Sequence, residues 1–274
     1  NKTEFLNGQP LNISAMRFGP DGHMYFLVGG RNTDSRLYRI QYVGPPQKGA
    51  GKRLVANQDL RDLRHSLEVF HGNPHAGNTA ITRAWPHLSH PDRNIRYAAR
   101  LAIENQPVSL WQERVLREED QRALIHASIA LCRHGDPSLS HRILKKLNQI
   151  PFDSLAAEDQ LALLRAYSLC FIRLGQPAAE LINVVIGNLD PFFPTGDEQV
   201  NTELCRVLSY LDAPQVVKKT ISLMKITETR TLDYDKEMLS RHEYGKEILK
   251  TMANTPNSQN IQYAYSLRRV QNGW

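Results

Sequence analysis

Ten histidines, three cysteines and a scatter of carboxylates are the groups in this chain that could do chemistry. Spacing decides which of them could act together. His65, His71, His75, His87 and His90 crowd one region, and His87 and His90, at i and i+3, could offer two imidazoles to a metal from one helical face. No Asp, Glu or Cys motif stands with them, and His90 precedes a proline, so surface or capping histidines are the preferred reading. Cys132, Cys170 and Cys205 each lie in an apolar helical stretch. An odd count without CxxC spacing points to core thiols, not to a zinc site or a disulfide framework. No CxxCH is present to attach a c-type haem. Glu118-Glu119-Asp120 reads as a helix start, where carboxylates meet the positive end of the helix dipole. Glu203 and Asp212 stand alone, and no GxSxG, HExxH or phosphate-cradling glycine loop occurs. No catalytic, cofactor-binding or metal-binding residue is therefore assigned.

Recognition chemistry is better represented. Trp85, with Arg96, Tyr97 and Arg100, could line a concave face, and Tyr263 and Arg268, near Tyr265 and Trp274, could do the same at the far end. Trp, Tyr and Arg are the usual anchors of protein interfaces. The competing reading is core or inter-repeat packing with snorkelling arginines.

These residues need elements to position them. Ile13 to Phe18, Met24 to Val28 and Leu37 to Val43 alternate in polarity like strands, and Gly19-Pro20-Asp21-Gly22 supplies a turn between the first two. Three short strands form an antiparallel meander that is too small to be stable alone, so it is expected to be the end of a larger β domain over 1–43. Residues 44–57 begin with GPPQKGAGK and read as a linker. From 58 to 274 the pattern becomes helical. Leu60, Leu63, Leu67 and Phe70 make one stripe, followed by Ile95, Ala98, Ala99, Ala102 and Ile103. Later stripes are Leu124–Leu131, Leu161–Phe171 and Leu204–Leu211. HGDP, LGQP and LDAP corners end the last three stripes, and a shorter helix follows each. A helix, a corner and a second helix recurring at roughly 30–45 residues predict a mainly α fold, a HEAT-like solenoid of right-handed stacked helix pairs.

Net charge is +6 and the pI about 9.2. The basic residues are dispersed, with only pairs such as Lys145-Lys146, Lys218-Lys219 and Arg268-Arg269, which disfavours nucleic acid as partner. No apolar run approaches the ~20 residues that span a bilayer. A chain that opens on Asn1 without a signal peptide is expected to be a mature or internal segment.

Several blocks, in order, carry a family resemblance. Asp34 to Tyr42 resembles the closing strands of a sugar-dehydrogenase-like β-propeller. Leu63 to Glu68, Ala84 to Leu88, Ile95 to Arg100, Leu163 to Tyr167, Asn201 to Cys205, Tyr210 to Pro214 and Ile261 to Arg268 follow. Together they resemble the HEAT-repeat middle region of bacterial multidomain membrane-bound dehydrogenases and haem-binding proteins. In that family a propeller precedes the repeats and a c-type cytochrome domain follows them. The resemblance implies a non-catalytic scaffold that joins those two domains in a periplasmic or secreted redox protein. Its partners would be the flanking domains and other proteins. Haem c, and any quinone, would sit in the parent protein, with no cofactor in this segment. The alternative is a HEAT-like nucleic-acid-binding or base-repair protein with a basic concave face.

Overall fold

The computed structural model describes residues 5–8, 11–30, 33–45, 57–226, 240, 243–253 and 257–274. Two compact units are present, Asn1–Ala56 and Asn57–Trp274. The division falls in the stretch read as a linker, of which residues 46–56 lie outside the described residues.

The first unit holds an antiparallel sheet of β1 (Ile13–Phe18), β2 (Met24–Gly30) and β3 (Thr33–Ile40), in that order. The β1–β2 turn closes with Gly22 N–H donating to the Gly19 carbonyl at 3.0 Å, and Gly22 takes the φ of 77° for which glycine is suited. β3 differs from the expected Leu37–Val43. Val28 pairs with Arg36 and Gly30 with Thr33, so the ladder recruits a polar stretch that shows no apolar alternation. Met24, the first residue of β2, already faces Ile40, which leaves 41–43 without a partner. Phe26 and Val28 are buried, and Phe26 stacks on Tyr38 with ring centroids 5.1 Å apart. Every residue of β1 is exposed.

The second unit is helical. Its described helices are α1 (Gln58–Glu68), α2 (Gly77–Ala84), α3 (Arg93–Glu104), α4 (Gln112–Arg117), α5 (Gln121–His134) and α6 (Ser140–Leu147). They continue with α7 (Ala157–Leu174), α8 (Ala179–Leu189), α9 (Glu198–Tyr210), α10 (Val216–Ile226), α11 (Glu243–Ala253) and α12 (Ser258–Leu267). Among the described residues no helix is long and apolar enough to cross a membrane.

Each apolar stripe becomes a buried helix face. All five stripe residues of α3 are buried, as are Leu124, Ala127, Ser128 and Leu131 of α5. The small Ala98 and Ala102 bring neighbouring chain close: a ring nitrogen of His71 lies 2.8 Å from the Ala98 carbonyl. These faces set the packing order. α1 packs on α3, α3 on α5, α5 on α7, α7 on α9 and α9 on α12. A second series lies alongside: α2 leans on α3, α4 on α5, α6 on both α5 and α7, and α10 on both α9 and α12. α6 also touches α4 and α8. One apolar core runs from Leu67 to Val270 and contains Trp111 and Tyr167, whose polar atoms are satisfied by the Gln106 carbonyl at 3.1 Å and Asn148 Oδ1 at 2.8 Å. Cys132, Cys170 and Cys205 are free thiols in this core.

Aspartates start α3, α5 and α9. Asp92 accepts from the Asn94 and Ile95 amides, Asp120 from Ala123, and Asp197 from Gln199 and Val200, which satisfies otherwise orphaned N–H groups. The corners differ from one another in detail. Pro137 lies inside the turn that Asp136 caps, whereas Pro177 and Pro214 lie just outside α8 and α10. Gly175 and Asp212 reverse the chain with φ of 94° and 55°. Asp212 is held there by accepting the Gln271 amide at 3.0 Å and by its bonds to Asn272.

Candidate interaction surface

The six residues expected to line an interaction surface separate into two groups. Trp85, Arg96 and Tyr263 are buried, with relative exposures of 4%, 2% and 1%, so they build the fold and do not face a partner. Trp85 is held by polar partners on two sides. Its indole N–H donates to Glu118 at 2.6 Å, and the Arg114 guanidinium lies 4.4 Å from its ring centre. Burial pushes the Glu118 carboxyl up. The Trp85 indole and the Asp120 and Glu119 amides outweigh it and hold the group below the ordinary carboxylate range. Glu118 is thus a partner of Trp85, and the helix start belongs to Asp120.

Arg96 ties the α3 entry to α7. Its Nη1 donates to the His90 and Pro91 carbonyls at 2.7 and 2.8 Å, and its Nη2 pairs with Glu158. Next to it Arg122 grips the buried Asp159, with Nε–Oδ1 at 2.8 Å and Nε–Oδ2 at 3.0 Å. His126 sits between these groups. Burial, then Arg96 and Arg100, lower its pKa to about 4, and its buried Nε2 has no hydrogen-bond partner among the described residues.

Tyr97 and Arg268 face outward, whereas the Arg100 side chain is largely buried, at 14% exposure. Arg268 lies at the far end, folded over Tyr265 at 3.4 Å from the ring centre. Tyr97 is 55% exposed, and the Arg100 guanidinium rests 5.2 Å from its ring centre. Arg100 pairs with the buried Glu104 one turn on, Nε–Oε1 3.1 Å, though without the alignment of a hydrogen bond. Glu104 is shared: Arg133 Nε stands 3.4 Å and His134 Nε2 3.5 Å from its other oxygen. Burial lowers the Arg100 pKa, Glu104 opposes this, and Arg133 and Arg165 lower it further. Arg173 of α7 reaches across to the Arg133 carbonyl at 3.2 Å. Arg100, Arg133, Arg165 and Arg173 thus neighbour one another over α3, α5 and α7, and among the described residues the carboxylate paired with this group is Glu104, held by Arg100 and Arg133. Such a surface can hold anions by paired N–H donors.

Arg133, Arg165 and Arg173 are not singled out from the sequence, because they are dispersed over α5 and α7 and form no local cluster. A signal exists all the same. α1, α3, α5, α7, α9 and α12 together carry ten arginines and no lysine, whereas α6, α10 and α11 carry lysines.

The remaining candidates do not assemble into a site of this kind. His87 and His90 have ring centroids 6.3 Å apart, and His90 Nδ1 accepts the Asp92 amide. Among the described residues no three His, Cys, Asp or Glu side chains gather at metal-binding distance. A depression of about 650 Å³ near His87 is lined by Asn78, Thr79, Thr82, Arg83 and Pro86, and one of about 540 Å³ lies over the Arg122–Asp159 pair. Comparison with family models, curated proteins and solved structures finds no match, so the residues themselves carry the functional argument.

Proposed function

We propose that this chain is a non-catalytic helical-repeat scaffold whose second unit is a right-handed HEAT-like solenoid. The packing order carries the reading: α1, α3, α5, α7, α9 and α12 follow one another in contact, with α2, α4, α6 and α10 leaning on them. An array in which each repeat rests on its neighbours makes a stiff spacer with a long surface. The conspicuous buried polar groups, Arg96, Asp159 and Gln106, join one element to the next. By its resemblance the scaffold joins a dehydrogenase-like propeller to a c-type cytochrome domain in a periplasmic or secreted protein. Haem c, and any quinone, would belong to those domains. The small sheet supports its being the end of a larger β domain, since Phe18, Met16 and Leu37 are more than half exposed. The test is the sequence on either side of this segment. Propeller blades upstream and a CxxCH downstream are expected, and finding neither would remove the reading.

One observation favours a second reading, a nucleic-acid binder: the four arginines on α3, α5 and α7 that share one surface. Its test is the salt dependence of DNA binding, which is steep when phosphates are the ligands.

A further inference from the structure

Arg100, Arg133, Arg165 and Arg173 neighbour one another, and among the described residues one carboxylate, Glu104, pairs with the group through Arg100 and Arg133, so three positive charges stay uncompensated. Arg165 is exposed and has no carboxylate partner among the described residues. Glu104 shows what the arrangement accepts: a carboxylate, 3% exposed as a side chain, is held from three sides by Arg100, Arg133 and His134. The strip is also short. On α1 the half-buried Arg64 is paired with Glu68 at 3.1 Å, and on α9 Arg206 is paired with Glu203 at 2.6 Å. The excess charge thus ends after three helices. With neighbouring axes about 8–10 Å apart, it spans about 20 Å. Double-stranded DNA would bring about a dozen phosphates to that length, far more than three charges can answer. An extended peptide covers it with about six residues. Apolar groups stand where such a peptide would need them. Tyr97 is 55% exposed, Ile172 beside Arg173 is 70% exposed, and Tyr210, 45% exposed, stacks on Phe171 at 5.4 Å.

We propose that the α3–α5–α7 surface formed by Arg100, Arg133, Arg165 and Arg173 is a docking site for a short acidic peptide segment, with Tyr97 and Ile172 as its apolar contacts. The inference rests on the scaffold reading in taking the helical unit as an interaction module. It is tested without the flanking domains, so its failure would leave the test on neighbouring sequence standing.

The experiment is fluorescence anisotropy on the whole chain, with a labelled six-residue peptide of alternating Glu and Leu and a labelled twelve-nucleotide single-stranded DNA. Arg165→Glu reverses an exposed, unpaired cation, so the fold should persist, as circular dichroism can verify. Lys145→Glu on α6 makes the same charge change elsewhere. The expected result is peptide binding that weakens by about tenfold or more in Arg165→Glu and by about twofold or less in Lys145→Glu. Peptide affinity should also fall with added salt as expected for two or three charge contacts. No peptide binding at low salt would overturn the proposal, and so would equal losses in the two variants. DNA binding tighter than peptide binding and dependent on Arg165 would reassign the surface to nucleic acid.

Discussion

Replacing Arg96 by methionine tests how a buried cation is held in this fold. Methionine keeps most of the side-chain stem in place and removes only the guanidinium. Arg96 is 2% exposed and donates to the His90 and Pro91 carbonyls, while its ionic partner Glu158 is 57% exposed as a side chain. The two halves of the interaction should therefore be worth different amounts. Losing the guanidinium strands two carbonyls at the α3 entry, at about 1–3 kcal/mol each, so about 2–6 kcal/mol together with a middle value of about 4 kcal/mol. Losing the carboxylate frees a group that water already reaches, so Glu158→Ala should cost about 1 kcal/mol or less. For a unit of this size a Tm falls by about 2–4 °C per kcal/mol. Arg96→Met should then melt roughly 10 °C lower, and Glu158→Ala about 2 °C lower. Calorimetry at pH 8 keeps His126 neutral in both states. Equal losses would mean that the ion pair, not the carbonyl bonds, fixes Arg96, and a loss below about 1 kcal/mol for Arg96→Met would refute the argument altogether.

Other outcomes follow from the same geometry. His126 titrates near pH 4 in the folded chain against 6.5 as a free imidazole, because burial and the facing Arg96, Arg100 and Arg122 outweigh Asp159. Between those values the unfolded chain binds a proton that the folded chain does not, so stability falls as pH drops from 6.5 towards 4, by about 2–3 kcal/mol in all. His126→Gln should flatten that part of a urea-denaturation profile, and identical profiles for the two proteins would disprove it. Asp197→Ala removes the cap of α9, which accepts the Gln199 and Val200 amides at 2.8 and 2.9 Å, and should cost about 1 kcal/mol in the same assay. The hydrogen bond with Cys170, then burial, raises the Cys132 thiol, burial raises the Cys205 thiol, and with Cys170 they lie in the core. All three should resist Ellman's reagent in the native protein and react in guanidinium; a fast native phase would contradict that placement.

The helical character of the second unit was legible because burial demands it at fixed spacing. A stripe such as Ile95, Ala98, Ala99, Ala102 and Ile103 can reach the core together only as a helix, and all five are buried. The strands were legible in number, but the extent of β3 was not. A ladder is closed by the partner strand's register, and Thr33 to Arg36 pair with β2 whatever their polarity. The candidate surface was half legible. Tyr97 and Arg268 face outward as an interface reading requires, Arg100 is largely buried, and Trp85, Arg96 and Tyr263 are of the right type and in the wrong place. Residue type reports what a side chain could bind, and burial decides whether it can be reached.

Composition and periodicity by themselves determined that the chain is mainly helical, opens with a small antiparallel sheet and keeps its three thiols inside. These are local matters, fixed by one element's own pattern. Only the tertiary structure decided that Arg100, Arg133, Arg165 and Arg173 share one carboxylate's neighbourhood, that His126 lies among guanidinium groups, and that Arg96 binds carbonyls instead of a partner. All but the Arg96 carbonyl bonds join residues on different helices. Contacts between helices are set by how whole faces pack, which no single stretch of sequence contains.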